Sequence, residues 1–414
     1  MKKLLFLFTL ASISVQAQEK EYAKQLVDTL CSPYFFGRGY VNDGVNKAGF
    51  FIAEKMKEIG VSQIDDTYFQ YFNFAVNTFP GKMLFKTGDK ELKPGIDYLV
   101  DPNSGGIEYG KYTWVYLPTN REKLVRLTDS WSKNTILVLP IYQVTDKKER
   151  QELAQLAAGF ALKYPVFIED DQKFTWSVGR KAWTHPLVYI KKGILNNWNY
   201  CHLSIEQKLI KNFDNANIIG MIPGTEQADS FVVFSAHYDH LGGLGKNVYM
   251  PGASDNASGT AMLLDMAKHY LKNPAKYSML FIAFAGEEAG LVGSKHFVEN
   301  PLIPLKQIKF LINVDLMGDA SKGITVVNGK IHEKEFSDIL TNNVEKQLLN
   351  NVKARGKAAN SDHYWFSEKG VPAFFIYTEG NITAYHDIHD IPAVVTFDKY
   401  EAVFELITDF VISL

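Results

Sequence analysis

From Asn215 onward, near-continuous apolar runs alternate with stretches in which apolar residues recur at helical spacing. Ile218–Ile222, Phe231–Ser235, Ser278–Phe284, Lys309–Val314 and Ala373–Tyr377 predict strands, because short apolar runs between turn residues suit strands buried on both faces. Between them, Met262, Leu263, Met266, Ala267 and Tyr270 predict a helix over Gly259–Leu271. Strand, loop and helix in alternation predict an α/β fold built on a doubly wound sheet. Earlier, Ala48, Phe51, Ile52, Met56 and Ile59 mark another helix, with Gly60 as its stop. Between Pro80 and Leu203 the texture changes. Short runs (Thr113–Leu117, Ile136–Leu139, Pro186–Ile190) sit among polar turns, broken by one helical pattern at Leu153, Leu156, Ala157 and Phe160. This predicts a small β-rich unit inserted into the larger fold. No internal repeat or low-complexity tract is present.

The ends of the predicted strands carry the chemistry. His237 and Asp239 follow one strand, Asp255 opens the loop Ser254-Asp-Asn-Ala-Ser-Gly259, Glu287 and Glu288 follow the next strand, Asp315 ends another, and His386 follows the last. Each has an ordinary explanation. Asp255 can cap the helix it precedes, Asp315 can close a turn, and a lone histidine is commonly a satisfied core or surface residue. Together they are harder to dismiss, because ligands of open α/β sheets gather at the carboxyl ends of strands. The glutamate pair is the sharpest feature, since charge at a buried strand end needs a cation or a catalytic task to offset its desolvation. Side chains leaving a strand alternate in direction, so one glutamate can hold a metal while the other faces a substrate. Mixed histidine and carboxylate donors suit zinc better than calcium or magnesium. Two Zn²⁺ ions with the three carboxylates Asp255, Glu288 and Asp315 and one shared hydroxide reach electrical neutrality. Such ions, roughly 3.5–4 Å apart, would acidify the shared water and clamp an oxyanion. Glu287 would then move the proton from that water to the leaving amine.

Composition narrows the setting. The chain has 414 residues, 46% of them apolar and 22% charged, enough for a large core in one or two domains. Its net charge of −2, which becomes two units more negative if Lys2 and Lys3 are removed, gives no argument for a nucleic-acid or anionic-membrane partner. Met1-Lys-Lys, the apolar Leu4 to Leu10 and the ending Val15-Gln16-Ala17 read as a signal peptide over residues 1–17, predicting export to the periplasm or the exterior. No later apolar stretch has the length of a membrane span, and no cysteine at the cleavage site invites a lipid anchor. Cys31 and Cys201 are the only cysteines; an exported protein can pair them, and two buried free thiols fit equally well.

Five segments carry a family resemblance: Ala236-His-Tyr-Asp-His-Leu-Gly242, Gly252-Ala-Ser-Asp-Asn-Ala-Ser-Gly259, Ala285-Gly-Glu-Glu-Ala-Gly-Leu-Val-Gly-Ser294, Asn313-Val-Asp-Leu-Met-Gly318 and Tyr385-His-Asp-Ile-His-Asp390. They resemble, in order, the motifs of the co-catalytic di-zinc aminopeptidases of clan MH. Phe36-Gly-Arg-Gly39 and Tyr68-Phe-Gln70 resemble that family's N-terminal portion, and residues 80–203 resemble its protease-associated insertion. The resemblance implies a zinc-exopeptidase-type mixed, mostly parallel sheet flanked by helices, with the insertion as a small β-rich domain. The peptidase domain is then split into residues 18–79 and 204–414. By motif, His237 and Asp315 would ligate one zinc, Glu288 and His386 the other, and Asp255 would bridge both, followed by a cis peptide to Asn256. Glu287 matches the general base, and Asp239 the group that orients His237; Asp390 offers the same for His386. His240 is read as a supporting or structural residue, and His389 as a competitor for the ligand position, with His386 preferred because Asp390 follows it by four. Ser361-Asp-His363 before Gly370-Val-Pro372 resembles a segment near the substrate pocket, for which a structural role serves as well. The implied activity is removal of N-terminal residues from peptides. A glutaminyl cyclase with one zinc is the alternative on the same scaffold, followed by a carboxypeptidase, for which no arginine clamp can be assigned, and a non-catalytic receptor-like relative.

Overall fold

The computed structural model describes residues 20–127 and 130–414. The leader predicted over residues 1–17 lies outside them. The main sheet has eight strands: β1 Phe69–Thr78, β2 Lys208–Ile222, β3 Gln227–His237, β4 Tyr277–Phe284, β5 Ile308–Asp315, β6 Gly323–Val327, β7 Val352–Arg355 and β8 Ala373–Glu379. Their spatial order is β1-β2-β4-β3-β5-β8-β6-β7. The central pairs β4–β3, β3–β5 and β5–β8 are parallel, whereas β1–β2, β2–β4 and β8–β6 are antiparallel. Every residue of β4 is buried, which is why its sequence reads as an unbroken apolar run rather than an alternation. Helices Gly259–Lys272 and Gly44–Ile59 cover the sheet with their apolar residues. The second ends at Gly60, whose φ of 99° lets its N–H reach back to the Met56 and Lys57 carbonyls.

Several elements go beyond the apolar pattern. β2 begins ten residues before the predicted Ile218, because its polar first part is held by antiparallel pairing with β1 from Phe69↔Ile218 to Thr78↔Lys208. Strands β6 and β7 and the final helix Tyr400–Ser413 complete the sheet's far edge and its cover.

The paired β1 and β2 form a ribbon that carries the chain out to, and back from, a second eight-stranded sheet. Its strands, in spatial order, are Lys90–Glu91, Met83–Thr87, Tyr200–Ile205, Ile107–Tyr116, Thr135–Leu139, Val166–Asp170, Leu187–Lys191 and Tyr98–Val100. Helix Lys147–Phe160 lies against it, its start capped by the Asp146 carboxylate receiving the Glu149 N–H at 2.8 Å. Leu241, Leu244 and Met250 from the main domain share the apolar core of this sheet, so the unit is packed against the main domain as well as tethered to it. Cys31 and Cys201 are both buried free thiols. Among the described residues no helix is long and apolar enough to cross a membrane.

Candidate metal centre

His237 is the last residue of β3 and Asp315 the last of β5. The two strands run parallel and adjacent, with Ser235 opposite Asn313, so the pairing that builds the sheet also brings these two side chains together. His237 Nε2 lies 3.3 Å from Asp315 Oδ2 and 3.3 Å from Asp255 Oδ1. The other Asp255 oxygen, Oδ2, lies 3.1 Å from His386 Nε2, which is in turn 3.3 Å from Glu288 Oε2. One carboxylate thus faces two imidazoles, each paired with a further carboxylate. The Asp255–Asn256 peptide is cis.

These separations fit zinc. Donors about 2.05 Å from a tetrahedral ion stand about 3.3 Å apart, which matches three of the four separations, while the 3.1 Å from His386 to Asp255 is also that of an ordinary N–H···O bond. Asp315 Oδ1 is buried without a hydrogen-bond partner among the described residues, as expected of an oxygen placed for a cation.

Glu287 and Glu288 do not alternate off a strand as the sequence reading assumed. β4 ends at Phe284, and the pair sits in the following turn, where the Gly290 and Leu291 N–H groups both bond the Glu287 carbonyl at 2.8 Å. Their separation comes from Asp239, whose carboxylate receives the Glu287 N–H at 3.1 Å and the Glu288 N–H at 3.4 Å. It also accepts the Tyr40 hydroxyl at 3.2 Å. Asp239 reaches His237 chiefly by its main chain: His237 Nδ1 is 3.1 Å from the Asp239 carbonyl oxygen and 3.8 Å from its carboxylate. A carbonyl only accepts, so in the neutral imidazole the proton sits on Nδ1 and Nε2 is left as the ligand atom.

His240 and Asp390 take supporting positions. His240 Nδ1 is 2.8 Å from Glu288 Oε1, leaving Oε2 toward His386; His240, Asp255 and Glu288 themselves form a group close enough to hold an ion. The Asp390 carboxylate receives the Ser254 and Asp255 N–H groups at 2.8 and 3.0 Å. It therefore seats the bridging residue, and the orienting role toward His386 falls elsewhere. His386 Nδ1 is 2.9 Å from the carbonyl of Trp176, a residue of the second unit. Ser361 accepts a bond from Asn313 within the sheet end.

Arg38, from the Phe36-Gly-Arg-Gly39 segment, is fully buried and has no carboxylate partner among the described residues. Its guanidinium donates to the carbonyls of Tyr238, Leu30, Pro251 and Gly252, tying the His237 loop to the Asp255 loop. Gly252 itself, at φ 63°, passes so close to His240 that a Cβ would lie 2.4 Å from its ring. Only glycine fits there.

The charges respond to burial and to each other. Burial alone would depress His237, but the Asp315 and Glu287 carboxylates outweigh it and hold the imidazole well above its usual range. Burial pushes Glu287 well above the ordinary carboxylate value, opposed by His237 and reinforced by Glu288 and Asp362. Asp255 is held well below that value despite burial, through hydrogen bonds from His237 and His386. Burial raises Asp362 to about 7, with Asp239 and Asp315 adding to the shift. The cluster opens into a cavity of about 130 Å³, whose other walls are Leu316, Asn360, Phe375, Tyr377 and Tyr385.

Comparison with known proteins places this architecture. The solved structure of BSAP, a zinc aminopeptidase from Bacillus subtilis, superposes with a TM-score of 0.70 over 95% of this chain and 94% of that one, at 20% identity. An aminopeptidase from Aneurinibacillus sp. strain AM-1 gives a TM-score of 0.62 over 94% and 92%, at 18% identity. Among curated sequences, aminopeptidase YwaD of Bacillus subtilis is 28% identical over 214 residues, 50% of this chain and 46% of that protein. A "Probable leucine aminopeptidase" of Arthroderma otae is 30% identical over 183 residues, 41% of this chain and 48% of that protein. The matches span about half the length of these curated relatives. Residues 217–411, which hold His237, Asp255, Glu287, Glu288, Asp315 and His386, match the model of Peptidase family M28.

Proposed function

We propose that the protein is a zinc aminopeptidase that removes N-terminal residues from peptides. One observation carries this reading: Asp255 faces two imidazoles with its two oxygens, and each imidazole has its own carboxylate at the spacing of a tetrahedral site. His237, Asp255 and Asp315 would hold one zinc, and Asp255, Glu288 and His386 a second. Bound there, zinc supplies an acidified water and a Lewis acid for the peptide carbonyl. Glu287 lines the cavity and is not needed as a ligand. Its raised affinity for protons suits a base that accepts a proton from water and delivers it to the leaving amine. Glu287, the one carboxylate lining the cavity that is not assigned as a ligand, would face the amino terminus of a bound peptide. The apolar walls Leu316 and Phe375 with Tyr377 and Tyr385 would enclose the first side chain.

The same reading includes export directed by residues 1–17 and a protease-associated character for residues 80–203. Support for the first is the basic start and apolar stretch of the leader, and for the second the β-rich sheet inserted between β1 and β2. N-terminal sequencing of secreted material should begin at Gln18. The test of activity is a panel of aminoacyl-anilides, run after chelation and after zinc add-back. Hydrolysis lost with the metal and restored by zinc is expected. Two zinc ions per chain with hydrolysis support the peptidase; one tightly held zinc with cyclisation of N-terminal glutamine and no hydrolysis would select the cyclase.

A further inference from the structure

The ligand His386 lies on a loop after β8, not on a strand end, and its φ of 53° is in the left-handed region. A residue in that conformation persists when its surroundings hold it there. The clamp comes from the inserted unit. The Trp176 N–H donates to the His386 carbonyl at 2.8 Å, and the Trp176 carbonyl faces His386 Nδ1 at 2.9 Å. Both the backbone and the ring of His386 are therefore held by one residue. Trp176 is fixed in turn, since its indole N–H donates to the Val100 carbonyl at 2.8 Å and its ring lies in the core shared with Phe79. Three residues earlier, Lys173 Nζ pairs with Asp387 at 2.5 Å and donates to the Thr383 carbonyl at 2.7 Å, gripping the same loop from outside.

We propose that Trp176 is a positioning residue for His386, and that the inserted unit, through Trp176 and Lys173, sets the zinc affinity of the Glu288–His386 half of the centre alone. The pocket itself is lined by residues of the main domain, so the insertion acts by holding a ligand rather than by contributing a wall. A carbonyl on the distal ring nitrogen fixes the tautomer and the aim of the ligand atom, and loss of such a partner typically lowers metal affinity about 10–100-fold. The inference rests on His386 being a zinc ligand.

The test is zinc titration of the metal-free, full-length protein against a competing chromophoric chelator. Wild-type protein should show two sites, and His386→Ala identifies which of them the loop supplies. Trp176→Ala keeps the carbonyl but frees the residue from Val100 and its apolar core, so it should weaken that same site toward the lower end of that range, about tenfold, and leave the other within about twofold. Trp176→Phe, which keeps an aromatic ring, and Lys173→Met, at a half-exposed position, should weaken it less but in the same direction. Lys173→Arg should restore the wild-type pattern. If Trp176→Ala does not fold, the Phe and Met variants decide. Unchanged affinities, or equal weakening of both sites, would overturn the proposal. Wild-type protein that takes up no zinc would instead overturn the assignment of the centre.

Discussion

The two halves of the centre are built in different ways. His237 and Asp315 are the last residues of adjacent parallel strands, so the sheet's own hydrogen bonds set their separation. Glu288 and His386 stand in a turn and a loop, and depend on Asp239, His240 and Trp176 for their aim. Rigidity is intrinsic to the first half and borrowed by the second. Changes far from the cavity should therefore register in the second half first.

The largest effect should come from the residue that belongs to neither half. Glu287→Gln removes the proton acceptor and preserves the shape of the turn. Turnover should fall by about 10³-fold or more, within the range for loss of a positioned acid–base group, while zinc content stays at wild type. Metal analysis beside kcat decides it, and undiminished turnover would remove Glu287 from the proton path. Next, Asp255→Ala should weaken both zinc sites by more than about 100-fold, beyond the usual cost of an outer hydrogen-bond partner. Asp315→Ala should weaken only the strand-end site. If the two substitutions behave alike, the halves are not separable.

Asp239→Asn addresses the connection between them. The Asp239 carboxylate accepts from both glutamate N–H groups and the Tyr40 hydroxyl, whereas an amide presents a donor on one side. Activity should fall about 10–100-fold, with Glu288 and Glu287 displaced before His237, whose Nδ1 rests on a main-chain carbonyl that the substitution leaves in place. A change confined to the His237 site would contradict this.

Much of the strand-end half was legible because a parallel sheet links sequence to place: an apolar run gives the strand, and the first polar residue after it marks the site. His237 and Asp315 needed only that rule. For Glu287 and Glu288 strand alternation is the wrong ground, since a turn seated on Asp239 separates them. Trp176 left no signal, because it acts through a backbone carbonyl that any residue possesses. Strand β6 is itself a buried, mainly apolar run that the list of predicted strands omits, whereas β1 buries alternate residues and β7 is a short, half-exposed edge strand, so neither of these presents a continuous apolar run. The predicted role of Asp390 shifted from His386 to the Ser254–Asp255 backbone, a difference of loop geometry that spacing does not encode.

Protons should report the loop half through its histidine. Burial alone would depress His386, yet the Glu288 carboxylate and the Asp255 hydrogen bond outweigh it and raise it to about 9 in the metal-free protein. A group raised above its unfolded value of about 6.5 stabilises the metal-free fold fully below that pH and loses the contribution as pH rises through about 9. Zinc takes the neutral ring, so between these limits binding must expel this proton, and its affinity should rise about tenfold per pH unit from this imidazole. Calorimetry in buffers of different ionisation enthalpy counts the released protons. A loop-site affinity that is flat from pH 6.5 to 9 would show that His386 is not protonated in the metal-free state.

The smallest effect separates a partner of Asp239 from Asp239 itself. Tyr40 is buried, with its ring edge-on to Phe74 and Phe213 at centroid distances of 5.6 and 5.3 Å. Tyr40→Phe should keep that packing and remove only the hydroxyl that donates to Asp239 Oδ2. A single hydrogen bond to a charged acceptor contributes about 1.5–3 kcal/mol, and the Glu288 N–H remains on the same oxygen. Stability should fall toward the lower end of that range, measured by urea denaturation, and activity should drop only a few-fold. The loss should again fall on the Glu288 side, because the Glu287 N–H bonds the other oxygen, Oδ1. A deficit as large as that of Asp239→Asn would mean that Tyr40, rather than the carboxylate's two backbone bonds, holds the glutamate turn in place.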